Sequence, residues 1–274
     1  MERLRRGDVG LAVFDDGPRD AEPVLLVHGF PDTHRVWDGV TRLLSSTHRV
    51  LRYDVRGAGA STAPTDDAAY RLEHLAADLC AVAALAGRPV HLVGHDWGGI
   101  QSWEALATNP HIFRTFTAIS GPCLDHSGAQ LRAARGDLSQ LPQVLRQLAA
   151  SWYVGVFHLP FAPRLARWAI PRAAARLGAR PEEMVTLADD AAHGTALYRA
   201  NVRERMRDPR PRTIALPVQI VVPSEDRYVT PRLAESARPY CPEFTRADVE
   251  GDHWVLRRFP ERIAPLLVAH FARS

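Results

Sequence analysis

Apolar runs of strand length alternate along the chain with stretches whose apolar positions recur every third or fourth residue, as in a helix with one buried face. PVLLVHGF (23–30), HRVLRYDVRG (48–57), PVHLVGH (89–95) and IFRTFTAIS (112–120) read as strands. Between the second and third, RLEHLAADLCAVAALAG (71–87) sets Leu72, Leu75, Leu79 and Val82 on one helical face, with Gly87 as its stop. After the third, GIQSWEALATNP reads as a helix ended by Asn109-Pro110. Strand and helix taking turns predict an α/β fold, a mostly parallel sheet covered by helices on both faces.

The alternation stops near Pro122. From there to Arg212, strand-like runs are scarce, and Arg- and Ala-rich helical segments are cut by Pro142, Pro160, Pro163, Pro171 and Pro181. It resumes with LPVQIVVPSED (216–226), EFTRADVEGDH (243–253) and a closing amphipathic helix from Arg258. The pattern predicts one core domain, 1–121 and 213–274, with a helical cap (lid), 122–212, inserted into it.

Composition narrows the function classes. A chain of 274 residues that is 46% hydrophobic can bury a full core. The net charge is only +3, and the basic residues, all arginine, are interspersed with acids and apolar positions, so no nucleic-acid partner is expected. Cys80, Cys123 and Cys241 form no CxxC pair, and reduced thiols in a cytoplasmic protein are expected. The polar N-terminus MERLRRGDVGLAVFDDG lacks the apolar core of a signal peptide. No apolar run approaches the ~18 residues that span a bilayer, so no membrane partner is expected. His91 and His95 are four apart, but across a strand and turn rather than on a helix; no metal and no cofactor are expected. Oligomeric state is not readable, and a homodimer is allowed.

The chemistry concentrates at HLVGHDWGGIQSW (91–103). Gly94 and Gly98 flank Asp96 at a strand-to-helix turn, as a nucleophile elbow requires, because the central residue is strained and its neighbours crowd. A glycine-rich turn with an N-capping aspartate fits the same residues. Other segments favour the elbow. HGFPD (28–32), YDVRGAGAST (53–62), VVPSEDRYVTP (221–231) and GDHWVLRRFPE (251–261) match, in order, the oxyanion loop, a structural loop, the acid loop and the histidine loop of one superfamily. Over essentially its whole length the chain resembles the α/β-hydrolase superfamily, in its aspartate-nucleophile branch.

That resemblance implies Asp96 as nucleophile, His253 as the base that activates water, and Asp226 as the acid that orients His253. It implies the backbone N–H groups of Phe30 and Trp97 as the oxyanion hole. Asp125, after the ISGPC strand, is an alternative acid, and His28 is expected to brace the oxyanion loop. A serine attacking a saturated carbon would leave an ether, which resists hydrolysis. An aspartate, ionised at neutral pH, leaves an ester that water can cleave.

The leaving group separates the relatives. An opened epoxide is an alkoxide whose conjugate acid has a pKa near that of water, about 15.7, and a phenol at about 10 protonates it downhill. Epoxide hydrolases use two lid tyrosines for this. WYVGVFHLP (152–160) resembles one lid segment and TALYRAN (195–201) the other, which implies Tyr153 and Tyr198; each tyrosine alone also fits a helix that merely packs on the core. Phe30, Trp97, Trp152 and Phe157 are expected to line an apolar epoxide site. The alternatives are a dehalogenase with the same nucleophile, for which Phe30 lacks the second halide donor, and a non-catalytic hydrolase-fold receptor. The chain also resembles the hydrolase half of bacterial two-domain proteins whose other half is a short-chain dehydrogenase, but it contains no G-x-G-x-x-G fingerprint.

Overall fold

The computed structural model describes residues 1–176 and 180–273. The strands are β1 (Glu2–Arg6), β2 (Val9–Asp16), β3 (Glu22–Val27), β4 (His48–Tyr53), β5 (Val90–His95), β6 (Phe113–Ile119), β7 (Val218–Pro223) and β8 (Phe244–Val249). They form one eight-stranded sheet in the order β1-β2-β4-β3-β5-β6-β7-β8. The β1–β2 and β2–β4 pairs are antiparallel, and every other pair is parallel. The β1–β2 hairpin does not emerge from the sequence reading. The charged β1, ERLRR, is a mostly exposed edge strand and carries no continuous apolar run.

Successive residues of the central strands serve opposite faces of the sheet. Leu25, Val27 and Leu92 pack under α2 (Leu72–Ala84) and α3 (Trp97–Thr108), against Leu79, Val82, Trp103 and Leu106. Val24, Leu26 and Val93 turn the other way, toward Val40, Leu44, Ile263 and Leu267. The first pair lies on α1 (Asp38–Leu44), and the second belongs to the C-terminal helix of the described chain. Strands covered on both faces read as unbroken apolar runs, which is why the parallel core was visible in the sequence. The face predicted for α2 is the buried one: Leu72, Leu75, Leu79 and Val82 are all inaccessible.

Between β6 and β7 the described chain is helical: α4 (Leu124–Ala133), α5 (Leu141–Ala150), α6 (Trp152–Phe157), α7 (Ala162–Arg176), α8 (Pro181–Met184) and α9 (Leu187–Arg207). The last strands are followed by α10 (Pro231–Ala234), α11 (Val255–Arg258) and α12 (Pro260–Phe271). Helix α9 is the spine of this excursion. Its Ala196, Leu197 and Tyr198 join Tyr70, Leu72, Trp97 and Ile100 of the core in one apolar cluster, and α7 lies along it.

Polar ties fix α9 to the core. Asn201 accepts from the Leu72 N–H (2.8 Å) and donates to the Tyr70 carbonyl (2.9 Å). Arg199 grips Asp67 through two bonds of 2.6 and 2.7 Å. Buried Arg205 pairs with Asp125 (3.0 Å), Glu104 (3.1 Å) and Glu73 (2.6 Å). In contrast, α5 and α6 contain no fully buried residue. From α5, Gln147 accepts from Thr230 N–H (3.1 Å) and Oγ1 (2.7 Å) and donates to the Tyr228 carbonyl (3.0 Å), and Gln143 accepts from Arg232. Cys80, Cys123 and Cys241 are free thiols. No described helix is long and apolar enough to cross a membrane.

Candidate active site

The site lies at the carboxyl ends of β3, β5, β7 and β8, where a parallel sheet presents its loops. Asp96 follows β5 and precedes α3 with φ +50° and ψ −122°, a backbone conformation that costs a side-chain-bearing residue of order 1–3 kcal/mol. The turn closes because its neighbours lack side chains. A Cβ on Gly98 would stand 2.1 Å from the Val27 carbonyl oxygen, and one on Gly94 2.6 Å from the Gly99 nitrogen. The loop after β3 passes equally close, since a Cβ on Gly29 would stand 2.4 Å from Asp96 Oδ1. That approach lets the Phe30 N–H donate to Asp96 Oδ1 at 2.8 Å. His28 holds the loop from beneath: its Nε2 accepts from the Val55 N–H (2.9 Å), so its Nδ1 carries the proton and donates to the Gly29 carbonyl (2.9 Å).

The other carboxylate oxygen, Asp96 Oδ2, stands 3.7 Å from His253 Nε2. On the far side of the imidazole, Nδ1 meets Asp226 Oδ2 at 3.0 Å. Asp226 Oδ1 accepts from the N–H groups of Tyr228 (2.8 Å) and Val229 (3.0 Å), so the loop after β7 aims the carboxylate. Asp125, the other acid considered, is committed elsewhere: it pairs with Arg205 and accepts from the Arg210 N–H at 2.9 Å. His95 points away from Asp96 and donates from Nε2 to the His253 carbonyl at 2.9 Å. Burial is the main reason its pKa falls to about 3, so it is a neutral brace.

Charge shapes the line of three residues. Burial opposes an imidazolium at His253, but the hydrogen bonds and charges of Asp226 and Asp96 outweigh it and raise its pKa to about 10. Burial likewise opposes ionised Asp226, yet its bond to His253 takes it down to about 2. Asp226 and Asp96 thus flank the buried imidazole and hold its proton.

The helical excursion brings two phenols over this line. Tyr153 on α6 and Tyr198 on α9 have ring centroids 5.8 Å apart, and their hydroxyls interact. Burial above all pushes both hydroxyls above the usual tyrosine range, helped at Tyr153 by the negative Asp96 and at Tyr198 by Tyr153 and then Asp96, so both stay protonated. Phe30 and Phe157 complete an aromatic enclosure. Phe30 lies 5.5 Å from both Phe157 and Tyr198, and Phe157 lies 4.8 Å from Tyr198. Trp97 is buried, with its ring 4.9 Å from that of Tyr198, and its N–H is an end amide of α3 with no intrahelical acceptor. Trp152 does not join them: it is 69% exposed and points outward from α6.

Three neighbours escaped the sequence reading. Tyr228 stacks edge-on against both His253 (5.0 Å) and Tyr153 (5.6 Å), bridging acid loop and lid. Its signal was its place two residues after Asp226. Gly194 lets α9 lie against Phe30; a Cβ there would stand 2.2 Å from the ring. Asp32, in the same loop as Phe30, accepts from Trp254 Nε1 (3.0 Å), and burial raises its pKa to about 6. Only the folded chain puts the last two beside the site.

A family profile described as alpha/beta hydrolase fold matches residues 22–257. The chain is 37% identical over 279 residues to "Probable oxidoreductase EphD" of Mycobacterium tuberculosis, covering 93% of this chain but 46% of that protein. It therefore spans about half the length of these curated relatives. A segment is 36% identical over 116 residues to "Epoxide hydrolase" of Caballeronia sordidicola, covering 42% of this chain and 35% of that one. Among solved structures, an epoxide hydrolase from Bacillus megaterium bound to an inhibitor superposes with a TM-score of 0.83 at 19% identity, covering 99% of this chain and 100% of that one. At that identity the likeness concerns the fold.

Proposed function

The chain belongs to the alpha/beta hydrolase fold family, and from that premise we propose that it is a cofactor-independent epoxide hydrolase that opens an apolar epoxide to a vicinal diol. The observation that carries this reading is the pair of phenols, Tyr153 and Tyr198, that meet each other within reach of the Asp96 charge, where no hydroxyl nucleophile stands. We take 122–212 as the cap domain that supplies the phenols. The "oxidoreductase" in the mycobacterial name is not carried over, since this chain spans about half of those proteins.

In this reading Asp96 Oδ2 attacks a ring carbon, the carbon–oxygen bond breaks, and an ester forms. Tyr153 and Tyr198 hold the ring oxygen, and one of them gives it a proton. Their raised pKa values narrow the gap to the alkoxide but guarantee that a proton is present. Esterification removes the charge of Asp96, and with it one of the two partners that hold the proton on His253. The imidazole can then release that proton, which balances the one the phenols lost, and accept another from water. That water attacks the ester carbonyl, and the oxyanion on Oδ1 meets the amides of Phe30 and Trp97. Removing one such donor typically costs about 3 kcal/mol. Collapse of the intermediate expels the ester oxygen, which takes a proton from the His253 imidazolium and leaves as the diol, and Asp96 gives its acid proton back to the imidazole. Phe30, Trp97 and Phe157 form the apolar walls.

The test is intact-protein and peptide mass spectrometry of His253→Gln incubated with a panel of epoxides. An adduct of one epoxide mass on the Asp96 peptide is expected, and it should be absent when Tyr153→Phe and Tyr198→Phe are added. Halide release from haloalkanes without diol formation from any epoxide would assign the protein to dehalogenation instead. No adduct with any member of either panel would point to a receptor.

A further inference from the structure

We propose that the outer face of α5, α6 and α7 is a peripheral docking surface for a bilayer of anionic lipid. The inference concerns a surface rather than the reaction, and it stands whether or not the epoxide reading holds.

Helix α5 is turned inside out. Leu141, Leu145 and Leu148, spaced i, i+4 and i+7, share one face, as the buried stripe of an amphipathic helix would. That stripe faces solvent, with Leu145 55% exposed, while the polar Gln147 reaches inward to the core. The same spacing recurs at Phe161, Leu165 and Trp168 on and just ahead of α7, where Trp168 is 58% exposed and the small Ala162 and Ala166 face inward. Helix α6 touches both α5 and α7 and carries the exposed Trp152. An exposed apolar surface of this extent normally marks an interaction site.

The charge pattern selects the occupant. Residues 138–176 contain five arginines, Arg146, Arg164, Arg167, Arg172 and Arg176, and no aspartate or glutamate. All five are exposed. The arginines are scattered along the chain as a whole, but this stretch holds no acid of its own, and Arg167 is paired with Asp189 from α9. Of the acids around it, Asp189 pairs with Arg167, Glu182 and Glu183 with Arg180, Glu183 also with Arg257, and Asp137 accepts from Ser139 and Gln140, so Arg146, Arg164 and Arg172 carry the positive charge of the face. Arg172 lies over the Trp168 ring, 4.5 Å from its centroid, an amphipathic pair suited to the headgroup level of a membrane. Apolar side chains fringed by arginine fit an anionic interface and need no spanning helix. A second copy fits poorly, because a twofold contact would set the same arginines against each other.

Vesicle flotation of the full chain tests this, with phosphatidylcholine vesicles made with and without phosphatidylglycerol. The wild type should float with the anionic vesicles at low salt, stay behind with pure phosphatidylcholine, and be released by added salt. Arg164→Gln with Arg172→Gln should weaken binding on the order of thirty-fold. Leu145→Gln, Leu148→Gln and Trp168→Gln together should abolish it while circular dichroism remains unchanged. If the triple variant misfolds, the salt dependence and the arginine variant still decide. Failure of the wild type to bind anionic vesicles, equal binding by the triple variant, or a wild-type dimer in ultracentrifugation that the triple variant dissolves would each overturn the proposal.

Discussion

At the scale of single residues, the imidazole of His253 carries a measurable signature. Its pKa in the fold is about 10, against an ordinary value of 6.5. A raised folded-state value means that the protonated form stabilises the fold, fully below pH 6.5, and that this contribution is lost as pH climbs through 10. Thermal midpoints recorded between those limits should therefore fall more steeply for the wild type than for His253→Gln; parallel curves would show that the imidazole is not held charged. Asp226 works in the opposite direction. Its depressed pKa makes its contribution present above about 4 and lost as pH falls through 2. These residues were legible because their chemistry is written locally: glycines crowd Asp96, and His253 and Asp226 sit in recognisable loops. Asp32 and Gly194 were not, because nothing beside them in the chain announces what they touch.

Among the elements, the strands of the parallel core were easy to read and the edge hairpin was not, for one physical reason. Burial on both faces forces an apolar run, whereas the mostly exposed β1 can carry Arg3, Arg5 and Arg6. The elbow between β5 and α3 is held by contacts between backbones, so its glycines have no room to yield. Gly98→Ala should destabilise the protein by about 3 kcal/mol or more, because the new methyl group meets the Val27 carbonyl rather than a movable side chain. Urea denaturation monitored by circular dichroism would measure it, and a loss under 1 kcal/mol would show that the turn can relax.

Across the whole molecule, the sheet and the helical excursion meet through a few buried polar groups whose partners lie about eighty to one hundred and thirty residues apart. Arg205 is central among them. Arg205→Met should cost about 3–5 kcal/mol, because it leaves buried Asp125 without its paired guanidinium, while Glu104 keeps Arg212 at 2.6 Å. A thermal midpoint unchanged from wild type would contradict that account. Arg205 belongs to a stretch the sequence marked only as helical, and its partners become apparent once α4 and α9 are stacked. The two phenols also inherit unequal footing. Tyr198 rides on a helix sunk into the core, while Tyr153 rides on one with no fully buried residue. In deuterium exchange, the amides of α6 should therefore trade with solvent through small local openings, and those of α9 only when the entire protein unfolds. The aromatic enclosure would thus swing from one side, with Tyr198 as the fixed post and Tyr153 as the leaf of the door.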